Sequence, residues 1–232
     1  MLNDDESFER YSKLLQSGSK IIAQFRKGKA ALPKCSSDKG CDAAFCFRCN
    51  RRAGNESLKG LIDSDAHLKK WVHIHIAGVG KIIDPYSTSF DIAYVQERIR
   101  QFLALARDTN STPAEISAIG AMQLDMGVDS KCTANLAVNL LVSGLSEDSL
   151  RTYADQLFYE SSVFRVRTVE GSISEFIRLF DEIAWSDTDL FEGPVSVLDH
   201  AAAIHAFGKK TIFDRFIFDG FALENGRLSM TQ

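Results

Sequence analysis

The stretch 71-WVHIHIAGVGKIIDPYST-88 decides how the rest of the chain is read. Apolar and polar residues alternate from Val72 to Ile76, which is the period of a half-buried strand. Gly78 and Val79 then fit the centre of a tight Gly-X turn, and a second apolar run ends at Asp84. The reading is a β-hairpin whose register sets His73 opposite Asp84 on one face, with His75 on that face opposite Ile82. An imidazole held by a carboxylate has a fixed tautomer and a stabilised imidazolium, the equipment of a general base. The same pair can also be an ordinary surface contact worth about 0.2–1 kcal/mol. A catalytic reading therefore needs a nucleophile.

Upstream, residues 6 to 27 carry helical periodicity through Phe8, Tyr11, Leu14, Leu15, Ile21, Ile22 and Phe25. A loop rich in Gly, Ser, Lys and Pro follows. CDAAFCFRCNRRAGN reads as a short helix opened by Ser37 or Asp38 and stopped by Gly54. Downstream, FDIAYVQERIRQFLALARD is a strongly amphipathic helix and EISAIGAMQLDM a strand. DSKCTANLAVNLLVSG reads as a helix opened by Asp129 or Ser130 and closed by Gly144, and SEDSLRTYADQLF as a second helix with a Ser/Asp start. Residues 171 to 185 and VSVLDHAAAIHAFGKK complete a helical C-terminal part. This order predicts an α+β arrangement rather than alternating βα units.

The chain has 232 residues, enough for one large domain with a real core. Its single-domain reading has a helical N-terminal segment (1–58), a core of sheet and nucleophile helix (59–165) and a C-terminal helical regulatory segment (166–232). A net charge of −4, with 27 basic and 31 acidic residues, argues against a general nucleic-acid binder while allowing a local basic site. No apolar run reaches the length of a membrane span, and the N-terminus lacks the pattern of a cleaved signal.

Five cysteines without an export signal favour reduced thiols. Cys132 falls at the first turn of the expected helix, where orphan N–H groups and the dipole would lower a thiol pKa and support an oxyanion. Its bland alternative is a small buried hydrophobe. Cys41, ahead of the histidines, is the rival nucleophile: the order Cys, His, Asp loosely resembles transglutaminase-like and papain-like enzymes. Cys35, Cys41, Cys46 and Cys49 could instead form a metal knuckle. Only the last pair has customary zinc spacing, and on one helix Cys41 and Cys49 would stand about 12 Å apart, too far to share an ion. No metal is therefore assigned.

The order His73, Asp84, Cys132 is that of the ubiquitin-like-protein protease clan. WVHIHI, IIDPYSTS and AIGAMQLDMGVDSKCTANLAVNLLVSGLSEDSLRTYADQLF resemble, within it, the YopJ-type effector acetyltransferases of bacterial type III secretion. AAIHAFGKK resembles that family's C-terminal segment. The resemblance covers roughly residues 60 to 215 and implies a cysteine-protease-like central sheet with packed helices. It implies a ping-pong reaction in which Cys132 takes acetyl from acetyl-CoA and passes it to a Ser, Thr or Lys of a host protein. His73 would be the base, with His75 as substitute, Asp84 its orienter and Gln123 a support for the oxyanion. Inositol hexakisphosphate would act as activator at Lys209, Lys210 and His205. It further implies delivery into the host cell by a type III system without a cleaved signal peptide. The sequence departs from the family at Lys131 and Thr133, which stand where an acidic residue and a glycine flank the nucleophile. A protease or deubiquitinase would use the same triad with water as acceptor. A non-enzymatic host-binding protein would carry the triad as a vestige.

Overall fold

The computed structural model describes residues 47–63, 69–81, 92–110, 112–126, 134–158, 163–169, 212–224 and 227–231. The elements in order are α1 (Phe47–Asp63), β1 (Trp71–Lys81), α2 (Ile92–Thr109), β2 (Ser117–Met126), β3 (Ala134–Ser143), α3 (Glu147–Leu157) and β4 (Val163–Val169). Three short strands follow: β5 (Phe216–Asp219), β6 (Phe221–Glu224) and β7 (Arg227–Met230). Five strands form one antiparallel sheet in the order β4-β1-β3-β2-β5, and β6 and β7 form a separate ribbon. The expected α+β class holds at this level.

The first four strands and the two intervening helices make a doubled, split β-α-β unit. β1 and β2 flank β3, and β3 and β4 flank β1, so each half of the chain inserts a strand into the other. Two inner strands result, and both are nearly all buried. Val72, Ile74 and Ile76 of β1 face the same side as Leu136, Val138, Leu140 and Val142 of β3.

Five residues in one rung fix where the helices lie. Asp219, Ala118, Val142, Val72 and Thr168 are successive register partners across all five strands and therefore share a face. Arg107 of α2 pairs with Asp219, and Glu147 of α3 accepts from the backbone N–H and hydroxyl of Thr168. Both helices thus pack on that face, where α2 buries Ile92, Val95, Ile99, Phe102, Leu103 and Ala106. Ser146 caps α3 by accepting from the Ser149 N–H at 3.2 Å, with Glu147 and Asp148 in the first turn.

The opposite face carries Trp71, fully buried and stacked on Phe221 of β6 at 6.3 Å. Here α1 packs closely on β7. A Cβ at Gly60 would stand 2.0 Å from the Leu228 carbonyl oxygen, so only glycine permits this approach.

Four expectations are corrected. Residues 71–81 form one strand, so the hairpin turn at Gly78 and Val79 does not exist. Pairing with β3 breaks after Ile76↔Val138 and resumes at Gly80↔Leu136, so four steps of β1 oppose two of β3; the glycine marks a bulge within a strand paired on both sides. The segment after Cys132 is a strand from Ala134 to Ser143, since Leu136, Val138, Leu140 and Val142 alternate at period two and the intervening positions are also covered. Gly144, with φ +80, turns the chain after that strand rather than closing a helix. The helix at Gly54 continues to Asp63, and residues 216–230, expected in a helical segment, form strands, one of which completes the main sheet.

The expected helices over 6–27, 171–185 and 195–210 lie outside the described residues. No helix among the described residues is long and apolar enough to cross a membrane.

Candidate functional site

Two rungs on the face away from α2 and α3 gather the chemistry. One runs Phe216, Ala121, Asn139, His75, Arg165, and the next runs Phe218, Ile119, Leu141, His73, Arg167. Each begins apolar at β5 and β2 and ends cationic at the sheet edge. The gradient follows burial: Ala121, Ile119, Leu141 and Asn139 are buried, His73 and His75 half-buried, Arg165 and Arg167 exposed.

Asn139 organises this strip. Only 5% exposed, it lies directly across from His75 and diagonally from His73. Its Oδ1 is 2.9 Å from His75 Nδ1 and 3.1 Å from His73 Nε2. Arg167 Nε donates to His73 Nδ1 at 3.4 Å. That last contact settles the proton placement for a neutral ring. A nitrogen that accepts from Arg167 has no proton, so the proton of His73 is on Nε2 and must meet an acceptor, the Asn139 carbonyl oxygen. The same oxygen then receives the Nδ1–H of His75, which leaves the Nε2 lone pair of His75 without a partner among the described residues.

An amide oxygen that holds one imidazole nitrogen while the other keeps its lone pair is the arrangement of a general base and its orienter. The group in contact with both imidazoles is Asn139, whereas the sequence suggests Asp84. Without the hairpin, His73 has Leu141 and Arg167 as register partners and His75 has Asn139 and Arg165, in place of the expected cross-strand register with Asp84 and Ile82. Asp84 lies outside the described residues, as do Cys41, Cys132, His205, Lys209 and Lys210. Cys132 belongs to the connection between β2 and β3, and the helix expected over the residues that follow it is a strand from Ala134. Gln123 lies on β2 in register with Ala137 of β3. Of the clustered cysteines, Cys49 is described: a buried residue of α1 that is in no disulfide.

The two histidines invite a metal reading, and their surroundings oppose it. Among the described residues no group of three or more His, Cys, Asp or Glu comes together. Two guanidinium groups stand in the same rungs, and the His73 nitrogen nearest Asn139 carries a proton rather than the lone pair a ligand needs.

Sequence reasoning missed Asn139, Arg165 and Arg167. An amide inside the apolar run LAVNLLV and an Arg-x-Arg alternation in VFRVRTV were the available signals. Compared with known proteins, the chain is matched by no family model, no curated protein and no solved structure.

Proposed function

We propose that the chain is an acid–base catalyst whose working group is His75, oriented by Asn139, and that it serves acyl transfer through a cysteine thiolate. The observation that carries this reading is the 2.9 Å contact that ties His75 Nδ1 to a buried amide oxygen and leaves Nε2 available. A Cys–His–Asn set is a known working form of the cysteine triad. It replaces the His73–Asp84 pair with a base and orienter that are in contact.

Cys132 is the proposed nucleophile. His75 Nε2 takes its proton, the thiolate attacks the carbonyl of acetyl-CoA, and the departing CoA thiolate recovers that proton from the imidazolium. A Ser, Thr or Lys side chain of a host protein then yields a proton to His75 as it attacks the thioester, freeing Cys132. With a strand rather than a helix from Ala134 onward, activation of the thiol falls to the imidazole. The proposal keeps the residue order of a cysteine-protease-like enzyme without its nucleophile helix. Water in place of the acceptor gives the hydrolytic counterpart.

Incubation with labelled acetyl-CoA, with and without inositol hexakisphosphate, tests it. Label should appear on the chain and vanish in Cys132→Ala and His75→Ala. Label that survives in Cys132→Ala but not in Cys41→Ala transfers the role to Cys41. Alkylation of every thiol at the rate of free cysteine, unchanged by His75→Ala, refutes thiol catalysis. Reaction with a ubiquitin-type probe alone selects the hydrolase.

A further inference from the structure

We propose that the outer edge of β4 takes an extended, acidic segment of another protein as a further strand of the main sheet. β4 is the longer of the two border strands. It pairs with β1 over seven consecutive rungs, from Trp71↔Val169 to Ala77↔Val163, with no bulge and no proline. β5, at the other border, has four residues. A long, regular border is a template for strand addition unless something covers it.

Hydrogen bonding shows which backbone groups look outward. In an antiparallel pair, opposed residues alternate between those that bond each other and those that turn both backbone groups away. The Thr168 N–H goes to the Glu147 carboxylate, so Val72↔Thr168 is a pair of the second kind. By alternation Ile74↔Val166 and Ile76↔Phe164 are too, and the N–H and C=O of Phe164, Val166 and Thr168 point away from β1. Glu147 occupies the donor at the Thr168 end. The Val166 N–H and C=O meet no hydrogen-bond partner among the described residues. An added strand therefore bonds first at Val166 and runs toward Val163.

Side chains choose the occupant. Val166 packs against the core on the face that carries α2 and α3, and the exposed Arg165 and Arg167 flank it on the other face. Residues of an added strand that oppose these arginines share their face, and a carboxylate there is stabilising. Arg167 already donates to His73, so the discrimination rests on Arg165. The fitting segment alternates apolar and acidic residues, its apolar side continuing the core past Val166. A second copy of β4 fits poorly, because pairing about Val166 sets arginine opposite arginine on both sides, and like charges directly opposed are destabilising. At the Thr168 end, Arg151 and Lys70 lie near enough to Glu147 to lower its pKa, so its carboxylate does not stand there uncompensated.

Three fluorescein-labelled peptides of seven residues, the length of β4, test this by anisotropy. One alternates valine with aspartate, one has lysine for aspartate, and one is the aspartate peptide N-methylated at every valine, which removes the donors that would meet β4. The aspartate peptide should saturate the chain and slow hydrogen exchange of the Val166 amide, and the other two should bind at least about ten-fold more weakly. Arg165→Glu should weaken the aspartate peptide about ten-fold and strengthen the lysine peptide. Arg100→Glu makes the same charge change on α2, on the other side of the sheet, and should leave the affinity for both peptides unchanged. Val166→Pro removes the outward donor and no bond to β1, and should abolish saturation. Circular dichroism verifies that the variants fold, and the N-methylated peptide makes the same test from the other side should Val166→Pro fail to. Absence of saturation by the aspartate peptide, equal effects of the two arginine reversals, or full affinity of the N-methylated peptide overturns the proposal. Sedimentation that finds the chain alone self-associated, and monomeric as Val166→Pro, gives the border to a second copy and overturns it too. Equilibrium binding needs no turnover, so this result and that of the acetyl-CoA experiment stand or fall separately.

Discussion

Replacing Asn139 by leucine removes one oxygen that two imidazole N–H groups share, while keeping the same branched outline of side-chain heavy atoms. The two hydrogen bonds, 2.9 Å to His75 and 3.1 Å to His73, each contribute roughly 0.5–1.5 kcal/mol net. Both rings are half-buried, so each can recover part of that loss from water. Leucine in a 5% exposed site gains apolar burial, of the order of 1 kcal/mol. The balance is a destabilisation of at most about 2 kcal/mol, or a fall of up to about 8 °C in Tm for a chain of this size. Urea unfolding should show a lower midpoint at unchanged m-value. The sharper readout is the imidazole nitrogen spectrum. In the wild type, His75 should be protonated at Nδ1 and His73 at Nε2, and in Asn139→Leu His75 should shift to a mixture of tautomers. A wild-type spectrum with the His75 proton on Nε2, or a tautomer unmoved by the substitution, would refute the assignment of Asn139 as orienter.

Gly60→Ala would drive a methyl group into the Leu228 backbone at 2.0 Å, against a carbonyl that cannot yield as a side chain can. Thermal unfolding should reveal a loss of about 1–3 kcal/mol as α1 is pushed off β7. At Glu147, hydrogen bonds from the Thr168 hydroxyl and N–H, aided by Arg151 and Lys70, hold the carboxyl below its ordinary value of 4.5. A depressed folded-state pKa stabilises the fold above the unfolded value and ceases to do so as pH falls through the folded one. Denaturant titrations of wild type and Glu147→Gln should therefore differ at neutral pH and converge below about pH 4.5, and a gap that widens with acid contradicts the contact.

How much could be read beforehand depended on whether an element has one buried face or two. α2 and α3 were legible because each sets an apolar stripe at helical spacing against a polar back, and Ser146 announces the start of α3. β2 carried enough alternation to be recognised. β3 was not, because as an inner strand it is covered on both sides, and a continuous apolar run suits a buried strand or a helix equally. β1 misled through Gly78, since a glycine within a strand signals a turn or a bulge and only the neighbouring strand decides which. β4 held an alternation, VFRVRTV, between two expected helices, in a stretch to which no element was assigned. Of the site, His73 and His75 were visible as residues and their face was assigned correctly by period. Their partner was not, because Asn139 lies sixty-four residues from His75 and meets it only through the pairing of β1 with β3.

The interleaving of the two halves of the sheet sets the terms on which the protein can come apart. Neither half owns a finished layer, since its own strands leave a slot that the other half's inner strand fills. Fraying can begin at β4 or β5, but once either central strand leaves, two ladders and both hydrophobic surfaces are lost together. Melting of this sheet should accordingly be all-or-none, and the imidazole pair, seated on one central strand and tethered to the other, should report that collapse as a single event.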